Sequence, residues 1–172
     1  MIITHQQGIL LAIVLSLVDH TRHGYRPRNV VLVPTESGAW QPQALSSAAQ
    51  ALPGLIVYRF THSLYYANSQ LLADEVTGLV KVADPPLRRL CIDASAIDDI
   101  DYTAAETLRS LLEFLQSKEI DLVMCHVPSE LRRSERQNFA DIFSGLTLYD
   151  TLDEVKKDYQ RLAQAADSVR DA

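Results

Sequence analysis

Arg89-Leu90-Cys91-Ile92-Asp93, then Ala94-Ser95-Ala96-Ile97-Asp98-Asp99-Ile100-Asp101-Tyr102-Thr103, then Ala104-Ala105-Glu106-Thr107-Leu108-Arg109-Ser110-Leu111-Leu112-Glu113-Phe114-Leu115 is the stretch that decides the fold. Its first five residues read as a short strand buried on both faces, because apolar side chains follow one another instead of alternating with polar ones. In the last part Leu108, Leu111, Leu112 and Leu115 recur at i, i+3, i+4 and i+7, the stripe of a helix that faces a core. Between the two lies a loop rich in aspartate, at a strand C-terminus, where α/β sheets concentrate their functional residues. Thr103-Ala104-Ala105-Glu106 has capping-box spacing: the Thr103 hydroxyl takes the Glu106 amide, and the Glu106 carboxylate returns to the Thr103 amide. A hydroxyl in that place is also a candidate phosphate acceptor. Phosphate there would meet the positive end of a helix and the repulsion of Asp98, Asp99 and Asp101.

The same alternation extends both ways along the chain. Leu55-Ile56-Val57-Tyr58-Arg59-Phe60, bounded by Pro53-Gly54 and Thr61-His62-Ser63, reads as a strand, with Leu64-Tyr65-Tyr66 as a brief second one. Asn68 is placed to cap a helix carrying Leu72, Val76, Leu79, Val80 and Ala83, which Asp84-Pro85-Pro86 stops. Ile120 to Val127 is the next strand, with His126 at its end as a hydrogen-bonded loop residue and no metal-ligand spacing around it. Glu130 to Phe143 reads as a helix with a charged, solvated face. Thr151-Leu152-Asp153-Glu154 is a second capping box, opening a last helix along Val155, Tyr159 and Leu162. Strands alternating with helices predict an α/β domain with a largely parallel sheet.

Composition excludes several classes. At 172 residues the chain has room for one domain of the usual size, roughly 150 residues, and 47% hydrophobic with 22% charged residues is ordinary for a folded protein. Sixteen Lys and Arg against 22 Asp and Glu give a net charge of -6, the wrong sign for a dedicated nucleic-acid binder. Cys91 and Cys125 have no CxxC spacing, so they read as small buried hydrophobes in a reducing compartment, with no metal site assigned. No nucleophile and base stand together, and no Gly-rich phosphate loop is present, so no catalytic residue is assigned.

The beginning of the chain is different in kind. Ile9 to Val18 is apolar on every side, about half of the roughly 20 residues that span a bilayer. Arg22, Tyr25, Arg26 and Arg28 follow it, the pattern of the cytoplasmic end of a membrane helix. Residues 1–28 are therefore expected to be the end of a transmembrane helix and a basic juxtamembrane segment; the competing expectation is an apolar helix packed on the domain or in a dimer. Residues 29–53, rich in Ser, Gln, Pro and Ala, are expected to be a linker with one short strand at 29–33.

Ile92-Asp93-Ala94-Ser95, then Ile100-Asp101-Tyr102-Thr103-Ala104-Ala105, then the leucine-striped helix, resemble the central signature of the STAS domain. That family includes the bacterial anti-sigma-factor antagonists and the cytoplasmic C-terminal domain of SulP-type sulfate and anion transporters. Pro53 to Phe60, with Leu64-Tyr65-Tyr66-Ala67-Asn68 after it, resembles the transporter branch, as does the basic exit from the apolar run at Gly8 to Arg28. The resemblance implies a STAS-like α/β fold at 54–172: a mixed, mostly parallel sheet of four to five strands with four to five helices, preceded by an apolar helix. It implies a non-catalytic regulatory module on the cytoplasmic side of the inner (plasma) membrane, whose partner is the transmembrane domain of an anion transporter. A homodimer and a regulatory protein or kinase are further partners that it leaves open. Asp93, Ser95, Asp98, Asp99, Asp101 and Tyr102 form the implied contact loop for a partner or for a guanine or adenine nucleotide, although no GxxxxGK[ST] motif supports nucleotide from below. Thr103 falls where the antagonists carry a phosphorylatable serine, with Tyr102 in place of a Ser and Ala104 in place of a Gly. The alternative is a free-standing phospho-switch of the antagonist type.

Overall fold

The computed structural model describes residues 29–132 and 145–170, and before them 8, 9, 11–13, 15 and 16. Six strands form one sheet: β1 (Val30–Pro34), β2 (Trp40–Ala44), β3 (Leu55–Arg59), β4 (Arg89–Asp93), β5 (Asp121–Cys125) and β6 (Thr147–Tyr149). Their order is β2-β1-β3-β4-β5-β6. β3 to β6 run parallel, and β1 is antiparallel to both its neighbours. Parallel neighbours need a crossover. Helix α1 (Tyr66–Val82) joins β3 to β4, and α2 (Tyr102–Ser117) joins β4 to β5. The short α3 (Ser129–Arg132) follows β5, and α4 (Leu152–Arg170) follows β6.

Side chains alternate across a strand, so a run of apolar residues serves two cores. Ile56, Tyr58, Leu90, Ile92, Leu122 and Met124 meet Leu72, Val76 and Leu79 of α1 and Leu108, Leu111 and Leu115 of α2. On the other face Leu55, Val57, Cys91, Val123 and Cys125 meet Leu152, Val155 and Tyr159 of α4. Both cysteines are buried and free, as their apolar neighbours suggest. Burial pushes the Cys91 thiol well up from its ordinary value.

The α/β class with a mostly parallel sheet holds, but among the described residues the strands number six instead of four to five. Residues 29–53, expected to be a linker with one strand, contribute two: β1 lies between β2 and β3, and Val30 pairs with both Ala44 and Arg59. β2 escapes a reading of its residues because Trp40-Gln41-Pro42-Gln43-Ala44 is polar and holds a proline, which an edge strand tolerates. β6 is only three residues long. Leu64-Tyr65-Tyr66 is no strand; it offers one parallel bridge, Leu64 to Ile100, before α1 begins.

Two caps also move. Asn68 lies inside the first turn of α1, where its Oδ1 accepts from the Tyr65 amide at 2.8 Å and its Nδ2 donates to Ser63 O at 2.9 Å. The N-cap of α2 is Asp101, whose Oδ1 accepts from the Ala104 amide at 2.8 Å; the Thr103–Glu106 box does not form, and Glu106 pairs with Arg109 instead. Asp is the stronger cap, and its backbone N–H is already fixed by Leu64 O at 3.1 Å. The Thr151–Glu154 box forms as its spacing predicts: the Glu154 amide donates to Thr151 Oγ1 at 3.2 Å. Of the helix expected at Glu130 to Phe143, 130–132 fall in α3, and 133–143 lie outside the described residues.

Residues 8, 9, 11–13, 15 and 16 are helical, and Ile9, Leu11, Ile13 and Leu15 each expose more than half of their surface. Among the described residues no helix is long and apolar enough to cross a membrane.

Candidate functional site

Parallel register sets Arg59, Asp93 and Cys125 side by side at the C-terminal ends of β3, β4 and β5. Asp93 is fully buried. Arg59 holds its Oδ2 through Nε and Nη2, both at 2.7 Å, while Oδ1 accepts from the Ser95 amide at 3.1 Å and lies 3.0 Å from His126 Nδ1. Burial alone would raise the Asp93 carboxyl, but the bonds from His126, Arg59 and the Ser95 amide outweigh it and hold the group below its usual range. His126 reaches this position with a left-handed backbone, φ 53°. Its hydrogen-bonded state agrees with its reading as a satisfied loop residue, but the partner, Asp93, is one that no sequence spacing indicates.

Cys125 Sγ stands 3.8 Å from the same Nδ1 atom. A Cys–His–Asp relay needs the nucleophile and the acid on opposite ring nitrogens. Here both approach one nitrogen, so the trio is not arranged as a nucleophilic triad. The three residues do offer a thiol, an imidazole and a carboxylate within 4.8 Å of one another, the set among the described residues that could hold a metal ion.

Above this network the 94–101 loop is laced to the loop before α1. Leu64 N donates to Asp99 O at 2.9 Å, Ser63 Oγ bonds the Asp98 carboxylate, and Tyr65 Oη donates to Asp99 Oδ2 at 3.4 Å. Asp101 works twice, capping α2 through Oδ1 and accepting from the Tyr66 amide at 2.8 Å through Oδ2. The expected contact residues therefore separate. Asp93 is inaccessible and Asp101 structural, whereas Ser95, Asp98, Tyr102 and Thr103 are exposed on one rim, with Asp99 half-buried among them. The rim also carries Tyr66, 74% exposed, close to the 64% exposed Tyr102 in kind and position at a helix start. Arg59 was not singled out from the sequence, and Tyr65, Tyr66 and His126 were read there without a place in the site. Their signal is faint: a lone arginine closing an apolar strand, and aromatics where a helix begins.

The chain enters the domain at this same end. Asn29 Oδ1 accepts from the Thr61 amide at 3.0 Å, and its Nδ2 donates to Glu75 Oε2 at 2.8 Å, an oxygen shared with the buried Tyr58 hydroxyl at 2.6 Å. A cavity of about 390 Å³ lies at the opposite end of β3 and β4, between Pro53, Gly54, Pro86, Arg88 and Tyr159. None of the rim residues lines it.

The family model described as the STAS domain matches residues 46–155. The chain belongs to the STAS domain family. Among curated relatives, Sulfate transporter 1.1 of Arabidopsis thaliana is 26% identical over 129 residues, covering 69% of this chain and 20% of that protein. This STAS chain thus spans about a fifth of that relative's length. Two solved structures share the fold. A sulfate transporter family protein from Wolinella succinogenes superposes with a TM-score of 0.54 at 18% identity, covering 70% of this chain and 96% of its own. The murine Solute Carrier 26 family member A9 anion transporter gives a TM-score of 0.57 at 16% identity, covering 80% of this chain and 21% of its own.

Proposed function

We propose that this STAS domain is the non-catalytic cytoplasmic module of a sulfate or anion transporter of the SulP type, and that it acts on the transmembrane part through the rim of Ser95, Asp98, Tyr102 and Thr103. The observation that carries this reading is the place of Asn29: tied to Thr61, it puts the chain's entry at the end of the sheet that bears the rim. A membrane part joined through residues 1–28 would then lie nearest that face. The basic residues of that segment complement the acidic rim, and the outward apolar side chains at 9, 11, 13 and 15 suit a bilayer or packed membrane helices. Localisation on the cytoplasmic side of the membrane follows from the same reading.

The test is labelled sulfate uptake in cells expressing the gene that encodes this chain. Asp98→Lys combined with Tyr102→Ala is expected to change uptake several-fold while the amount in the membrane and the Tm of the purified chain stay the same. Unchanged uptake with normal expression overturns the role of the rim. Asp101, although in the same loop, is unsuited to this test because its side chain caps α2.

The exposed Thr103 in the first turn of α2 favours a second reading, a phospho-switch facing a kinase. Phosphate on Thr103 in chain isolated from its native cells, with uptake indifferent to the rim, would select it.

A further inference from the structure

We propose that Asp93, Cys125 and His126 form a transition-metal site at the strand ends, with the chemistry of a Zn²⁺ ion. Their donor atoms all lie within 4.8 Å of one another; His126 Nδ1 is 3.0 Å from Asp93 Oδ1 and 3.8 Å from Cys125 Sγ. Around tetrahedral zinc, bonds of about 2.0–2.3 Å set neighbouring donors roughly 3.3–3.7 Å apart. The two His126 separations bracket that range and the third pair, Asp93 and Cys125, lies within 4.8 Å, so closing on an ion takes small rotations of the half-exposed His126 ring and of the Cys125 side chain. Thiolate with imidazole and carboxylate is a zinc donor set, and the sulfur disfavours Mg²⁺ and Ca²⁺, which take oxygen ligands.

The surroundings are those of a supported ligand. Arg59 occupies Asp93 Oδ2 with two bonds, while Oδ1 accepts from the Ser95 amide and keeps its second lone pair for a metal. Entry is from the His126 side, which is 34% exposed. On binding, the Cys125 S–H bond breaks, its proton goes to solvent, and an S–Zn bond forms; His126 gives up to solvent the Nδ1 proton that it shares with Asp93 and takes one up on Nε2, so that a neutral imidazole coordinates through Nδ1. The Asp93–His126 hydrogen bond is replaced by two bonds to one ion, which would clamp the exit of β5 to the start of the rim loop.

The experiment uses the full chain in detergent, stripped with chelator and titrated with Co²⁺ as the spectroscopic probe. One equivalent is expected to give a thiolate-to-cobalt charge-transfer band and the strong visible bands of a tetrahedral ion, both erased by Zn²⁺. Cys125→Ser should abolish the charge-transfer band. His126→Gln, at a half-exposed position, should weaken binding about tenfold or more while the metal-free variant still folds, with a Tm lowered by the loss of its bond to Asp93, and it carries the test if the cysteine variant does not fold. Absence of the band overturns the proposal. So does a band that survives both variants or is lost on replacing His20 and His23.

Discussion

Asp101 shows how one side chain can hold a helix, a loop and a neighbouring helix at once. Its two carboxylate oxygens take the Ala104 and Tyr66 amides, so Asp101→Ala is expected to cost at least about 1 kcal/mol in urea denaturation, the usual loss for a cap. Thr103→Ala, whose hydroxyl caps nothing, should stay within about 0.5 kcal/mol of the parent, as exposed substitutions do. The opposite ranking would restore Thr103 as the cap. Gly54 is constrained in another way. It sits at φ +84°, and an added Cβ would fall 2.5 Å from the Tyr159 hydroxyl, which donates to Pro53 O. Gly54→Ala is expected to lose roughly 1–3 kcal/mol from the left-handed backbone and the displaced α4 contact, read as a lowered urea midpoint.

Among the elements, α2 and β2 mark the extremes of what a pattern of residues reveals. The leucine stripe of α2 is visible without coordinates because its period is that of a helix, and the structure buries Leu108, Leu111 and Leu115 against the sheet. Leu111→Ala should cost about 2–5 kcal/mol, whereas Ser110→Ala, on the exposed side of the same helix, should be nearly silent by the same denaturation measurement. β2 has no such period. Its five residues are held mainly by backbone pairing with β1 at the sheet edge, where even the central Pro42 is tolerated. Trp40 adds one side-chain tie, from Nε1 to Asp153 at the start of α4, 3.1 Å away.

At the level of the whole molecule, carboxylates bind the layers together and set the acid limit of stability. Asp158 of α4 receives Tyr149 at 2.7 Å and Arg89 at 2.9 Å, joining β6 and β4 to the helix above them, and these partners hold its carboxyl down to about 2. The same contact helps to push the Tyr149 hydroxyl up to about 12, after the effect of burial. Asp93 is lowered as well. A carboxyl lowered in the folded state binds its proton more readily when unfolded, so both residues stabilise the fold above the unfolded value near 4. That contribution is lost as pH falls through the folded values. The Tm is expected to drop between about pH 4 and pH 2, and Asp158→Asn should flatten that limb; an identical limb in the variant would remove Asp158 from the account.

The α/β class, the buried central strands, the striped helix and the Thr151 cap were all determined by the sequence, because each depends on local periodicity or on short side-chain reach. The family resemblance rested on the same contiguous residues. The edge strands β2 and β6, the cap at Asp101 and the Arg59–Asp93–His126 network were decided only by the tertiary structure. Asp93 and His126 stand 33 positions apart and meet through the parallel register of β4 and β5. Pairing across a crossover leaves no trace in the spacing of the residues it joins, since the length of the intervening helix, and not the chemistry of the pair, sets that spacing.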